Sequence, residues 1–143
     1  MPLSQNKINK VRESFSRSPL MNMYGAQLTD VHEGFAELTL EKKVELLRTS
    51  GSFHGGVIAA LADTAGGYAA AATAEEDVYL VTVEFKINYL REARGEAVIA
   101  KARVVKNGKR LVVVTADIYA RSEHGDVHVA IALLTFMHVR KRS

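Results

Sequence analysis

Apolar positions recur along this chain at two different periods. Ile8, Val11 and Phe15 are spaced for one face of a helix over residues 4–17, and Ser18-Pro19 ends it. Over residues 25–40 the period drops to two. Ala36, Leu38 and Leu40 alternate with Glu37, Thr39 and Glu41, and Gly34 divides two short strands. Residues 41–50 are mixed and charged, a loop or one irregular turn. Residues 55–74 are Ala-rich, lack proline and β-branched runs, and read as the main helix despite four glycines. The remainder is β. Val81, Val83, Phe85, Ile87 and Tyr89 alternate with Thr82, Glu84, Lys86 and Asn88, the pattern of a half-buried strand. Three further strands cover about 96–106, 110–121 and 127–139, with turns at Asn107-Gly108 and at 122–125. The last is apolar on both faces apart from His128, Thr135 and His138, which predicts a central position or a contact with another subunit. The class is α+β: a long antiparallel sheet that must wrap one long helix to bury its apolar stripe, with a short N-terminal helix or arm over 1–18.

On a helical wheel the main helix divides. Val57, Ile58, Leu61, Ala65 and Tyr68 form a core stripe. Gly55, Ala59, Asp63, Gly66, Gly67 and Ala70 fall on the other side, so Asp63 projects from a face almost without side-chain bulk. A carboxylate there is costly unless paired, solvated or used. Each helix glycine costs about 1 kcal/mol against alanine, which calls for a packing or functional reason. His54, Gly55 and Gly56 stand where the helix begins, where unbonded N–H groups can face a ligand. Leaving the bare face open in a monomer would expose a large apolar area, so a homodimer with facing helices is the economical arrangement.

Composition narrows the function classes. At 143 residues the chain makes one domain, 1–143, with a real core. No apolar run reaches the roughly 18 residues of a membrane span, and the polar N-terminus lacks the apolar centre of a secretory signal. Cysteine is absent, which excludes thiol chemistry and suits a cytoplasmic protein. The net charge of +3 is modest, but residues 139–143 include the basic run Arg140-Lys-Arg142, and Lys106, Lys109 and Arg110 surround Gly108. Such clusters read as solvated surface or as contacts to a phosphate-bearing ligand; no aromatic interleaving or recognition motif supports nucleic acid. His128 and His138 lack carboxylate neighbours for a metal site, and no dinucleotide fingerprint is present.

The stretch Ser52-Phe-His-Gly-Gly-Val-Ile-Ala-Ala-Leu-Ala-Asp-Thr-Ala-Gly-Gly67, the strand Val81-Thr-Val-Glu-Phe-Lys-Ile-Asn-Tyr-Leu-Arg-Glu-Ala-Arg94, and Gly108-Lys-Arg110 together resemble the hotdog-fold thioesterases. Within that superfamily the likeness is to the phenylacetate-pathway (PaaI-type) branch of small acyl-CoA thioesterases, over about 24–139. The resemblance implies a hotdog fold, in which the sheet wraps the central helix, and a homodimer or homotetramer. It implies hydrolysis of acyl-CoA to free acid and CoA with no metal or redox cofactor. The amide of Gly55 would polarise the thioester carbonyl, and Asp63 would act across the dimer interface as general base or nucleophile. Thr82 would help hold the attacking water, His54 would orient the turn, and Gly56 would contact substrate. Arg91, Arg94, Lys109 and Arg110 are the basic candidates for the CoA nucleotide. Arg48 stands where the family often carries Asn or Gln. Arginine accepts no hydrogen bond and keeps its charge, so it pairs with Asp63, grips a phosphate or carboxylate, or points to solvent. Arg48 also favours the alternative, a non-catalytic acyl-CoA-binding hotdog protein. A hotdog dehydratase fits less well, because it would use a histidine and an acid together.

Overall fold

The computed structural model describes residues 2–142; Met1 and Ser143, the ends of the expected domain, lie outside the described residues. Helix α1 (Gln5–Ser16) begins where the Ser4 hydroxyl accepts the Lys7 N–H at 3.1 Å, and it buries Val11 and Phe15. A second helix, α2 (Pro19–Tyr24), follows at once. Ser18-Pro19 therefore does more than stop α1. Ser18 caps α2, Pro19 takes its first position, and Gly25 closes it in the left-handed region at φ 80°.

Strands β1 (Gln27–His32) and β2 (Phe35–Glu41) form a hairpin about Gly34, and a short 3-10 turn (Val44–Leu46) leads to the long helix α3 (Gly55–Ala71). Strands β3 (Val78–Tyr89), β4 (Ala97–Asn107), β5 (Leu111–Ser122) and β6 (Gly125–Arg140) complete one six-stranded antiparallel sheet in the order β1-β2-β4-β5-β6-β3. The sheet lies against α3, as the hotdog arrangement requires. Its inner face is floored by buried small residues, Ala100 and Ala102 on β4, Ala116 on β5 and Ala132 on β6, which lets the helix sit close. Leu38, Leu40, Val114, Ile118, Leu134 and Phe136 fill the rest of that layer.

Two expectations change. First, the alternation along β3 breaks at a bulge between Thr82 and Glu84. Beyond it Phe85, Ile87 and Tyr89 pair with the inner residues Leu134, Ala132 and Ala130, whereas before it Leu80 and Thr82 take the inner side. Val81 and Val83 are left 39% and 52% exposed, on a strand that forms the edge of the sheet. Second, the bare side of α3 is narrower than the wheel implies. Gly66 and Ala70 are buried, and a Cβ at Gly66 would lie 3.1 Å from the Phe136 ring. That glycine serves packing. Strand β6 lies between β5 and β3, with Ile131, Leu133 and Met137 exposed on its outer side.

Candidate active site

The start of α3 is built from backbone. His54 is extended (φ −65°, ψ 135°) and caps the helix, its Nδ1 accepting the Gly56 N–H at 2.9 Å. The His54 carbonyl accepts from the N–H groups of Val57 and Ile58 at 3.0 and 3.1 Å. Among the first-turn amides the Gly55 N–H alone has no partner in the described residues. The peptide that carries it is polarised by the two bonds to the His54 carbonyl, and the helix dipole adds in the same direction. A free N–H so polarised is a strong donor to any oxygen that gains negative charge. The Gly56 N–H is spent on His54, so the expected contact from Gly56 to substrate does not arise through its amide. A Cβ there would lie 3.1 Å from His54 Nδ1, which explains the glycine. His54 is a helix cap whose Nδ1 accepts a hydrogen bond.

Tyr89, at the far end of β3, donates its hydroxyl to the Gly55 carbonyl at 2.5 Å and lays its ring against Gly55, 3.4 Å from where a Cβ would be. Burial pushes the Tyr89 phenol above its ordinary range, so it stays a donor across neutral pH. The alternation of β3 sets Tyr89 on the inner side with Phe85 and Ile87, but nothing in it marks the tyrosine for this contact.

Asp63 lies two turns further along α3, half-buried. Thr82 on β3 donates to its Oδ1 at 2.7 Å. Thr82 thus holds the carboxylate itself and leaves the second oxygen free for water. Asp63 opens onto a groove of about 640 Å3 between α1, α3 and β3, whose walls include Ser14, Gly67, Tyr68 and Leu80. Ser14 and Tyr68 share a hydrogen bond of 3.2 Å there. In the same groove burial pushes the Lys7 ammonium below the usual lysine range, with Glu76 opposing the shift.

The basic candidates separate into two groups. Arg48 and Arg91 line a hollow of about 360 Å3 together with His54, Gly55, Tyr89 and Glu92. Arg48 pairs with Glu92 at 3.6 Å, which answers where it goes in one chain: away from Asp63. Arg94 is tied to Glu92 and, through Nη1, to the Ser50 carbonyl, both at 3.1 Å. It therefore clamps the loop before α3. Glu92 was not among the expected residues, although its place between Arg91 and Arg94 in sequence is a visible charge cluster. Lys109 and Arg110 lie elsewhere, in a concavity with Thr73, His138 and Arg140 beyond the other end of α3. A 17-residue helix is about 25 Å long, so one chain does not join the two groups. Among the described residues no cluster of metal-binding side chains occurs, and no helix is long and apolar enough to cross a membrane.

Comparison with known proteins agrees with this architecture. The profile of the thioesterase superfamily matches residues 50–126, which include the capped helix start, Asp63 and Thr82. A protein of Saccharolobus solfataricus named "putative esterase" is 32% identical over 112 residues, 78% of this chain and 74% of its own. The crystal structure of a thioesterase family protein from Silicibacter pomeroyi superposes with a TM-score of 0.91 at 36% identity, covering 94% of this chain and 98% of that one. The PaaI protein of the E. coli phenylacetic acid degradation operon shares the fold, with a TM-score of 0.85 at 24% identity and 97% coverage of both chains. By matched sequence over more than half its length, and by fold, the chain belongs to the thioesterase superfamily.

Proposed function

We propose that this protein hydrolyses acyl-CoA thioesters at a site shared by two copies of the chain. The observation that carries this reading is the separation of the two reactive groups. The unclaimed Gly55 N–H and the Asp63 carboxylate are eight residues apart on one helix, about 12 Å along its axis. Catalysis needs both within hydrogen-bond reach of one reacting centre. They also open into different hollows. A two-fold axis that sets two α3 helices antiparallel would bring the Gly55 N–H of one copy to the Asp63 of the other. The exposed β3 edge, with Val81 and Val83 uncovered, supports pairing there. Exposed Leu111, Ile131, Leu133 and Met137 on the outer sheet face support a further pairing of dimers into a tetramer. The same antiparallel arrangement would carry Lys109 and Arg110 toward the arginine-lined end of the neighbouring helix. The phenylacetate-type branch rests on the resemblance of the stretch from Ser52 to Gly67 and of the β3 sequence.

In this reading the thioester oxygen accepts the Gly55 N–H. Asp63, steadied by Thr82, takes one proton from a water whose oxygen adds to the carbonyl carbon. The carbonyl then re-forms, the C–S bond breaks, and the proton held by Asp63 passes to the departing sulfur. The products are a free acid and CoA. An acyl-CoA panel with a thiol-trapping readout, run beside a measurement of solution mass, tests the proposal. Release of CoA by a dimer or tetramer is expected. Retention of intact acyl-CoA over hours would instead make the protein a binder.

A further inference from the structure

Arg48 and Arg91 line the same hollow as Gly55, and that proximity constrains what they can bind. A volume of 360 Å3 is within the usual range of small ligand sites and, if compact, corresponds to about 9 Å across. The phosphates of CoA lie farther from the thioester than that: the pantetheine arm has the reach of about four extended residues, ~15 Å. An anion met inside the hollow is therefore carried by the acyl group.

The donors are available. Arg94 does not line the hollow and is committed, with Nε and Nη2 on Glu92 Oε2 at 3.1 Å and Nη1 on the Ser50 carbonyl at 3.1 Å. Arg48 meets Glu92 through Nη1 at 3.6 Å, too long for a hydrogen bond, so its fork of N–H groups is unspent. The Arg91 guanidinium has no partner among the described residues. Glu92 is shared between Arg94 and Arg48, and the wall of the hollow, with two arginines against this one carboxylate, keeps a net positive charge beside Gly55. Planar guanidinium forks match a carboxylate in two-bond geometry.

We propose, resting on the thioesterase reading above, that Arg48 and Arg91 bind a carboxylate at the distal end of the acyl group, so that the substrate is the monothioester of a short dicarboxylic acid. Arg48 is then a specificity residue, and its charge replaces the amide expected at that position.

Thioesters of N-acetylcysteamine test this, because they lack every phosphate of CoA. The glutaryl thioester is compared with its monomethyl ester, which has nearly the same shape and no charge. The wild-type protein should show kcat/KM at least tenfold higher for the acid. Arg48→Gln should bring that ratio close to one, and Arg91→Gln should lower it. The same ratios should appear in the CoA series. Equal hydrolysis of acid and ester by the wild type, or an unchanged ratio in Arg48→Gln, would overturn the inference and leave the thioesterase reading standing. A loss in Arg48→Gln confined to CoA thioesters, whatever their acyl group, would assign the arginine to the nucleotide and also overturn it. If no thioester in either series is hydrolysed, the thioesterase reading fails by itself. Equilibrium dialysis with the 4-carboxybutyl and pentyl thioethers of N-acetylcysteamine then decides: tenfold tighter binding of the acid upholds the carboxylate site, and equal binding removes it.

Discussion

The start of α3 and its middle, two turns apart on the same helix, offer a substrate different things by different means. At the start the group that the proposed mechanism uses is a backbone amide, and residues 54–58 set it almost alone. His54 consumes the Gly56 N–H with its ring and the next two N–H groups with its carbonyl, leaving Gly55 unclaimed. In the middle the group that the proposed mechanism uses is a side chain, held by Thr82, 19 residues away on another element. A donor made locally should tolerate changes in the sheet. A carboxylate steered by β3 should not, because a shift of one residue at the bulge would turn Thr82 away.

The largest effect should come from the middle of the helix. Asp63→Asn keeps the shape, the Thr82 contact and the fold, and should lower kcat about a thousandfold in an acyl-CoA hydrolysis assay. Turnover within tenfold of wild type would remove the carboxylate from the chemistry. Next comes the donor. Proline is tolerated at a first helical position, and His54 already has the extended conformation that a residue before proline requires. Gly55→Pro therefore deletes the N–H while keeping the helix start, and should cost about a hundredfold in kcat. Gly55→Ala, which keeps the N–H and places a Cβ 3.4 Å from Tyr89 Cζ, is the control. Equal rates for the two variants would show that the amide is not used.

A smaller effect separates the two regions more finely. Thr82→Val should lower kcat about tenfold by freeing the Asp63 carboxylate, with Thr82→Ser restoring it, since one charge-assisted hydrogen bond is at stake. Thr82→Val at the wild-type rate would mean that Asp63 needs no support from β3. The smallest effect on rate should be that of His54→Ala. Losing a helix cap costs about 1 kcal/mol, read by urea unfolding, and turnover should fall less than tenfold. A fall as deep as that of Asp63→Asn would make His54 the base.

Much of this molecule was legible before its structure. The alternation in β2 and the paired turns of β4, β5 and β6 are local patterns, and the wheel of α3 sets Asp63 apart from the core stripe. The misreadings share a cause. Period-two counting over Val81–Tyr89 cannot register a bulge, so it put Val81 and Val83 with Phe85 and Tyr89 on one face. The wheel placed Gly66 on the open side because it has no side chain, yet it is bare in order to admit Phe136 from β6. Arg91, Arg94, Lys109 and Arg110 share a charge and nothing else. One clamps a loop, one faces a hollow, and two lie beyond the far end of the helix.

By itself the sequence determined what neighbours along the chain can enforce: a histidine-capped helix start with two glycines, a carboxylate two turns later on a bare stripe, and strands joined by tight turns. Those features depend on backbone conformation and side-chain size over a few residues. The tertiary structure alone decided that Thr82 meets Asp63, that Tyr89 grips Gly55, and that Arg48 turns to Glu92. Each of these contacts joins residues 19 or more apart, brought together by the packing of β3 and the loop before α3 rather than by any local preference.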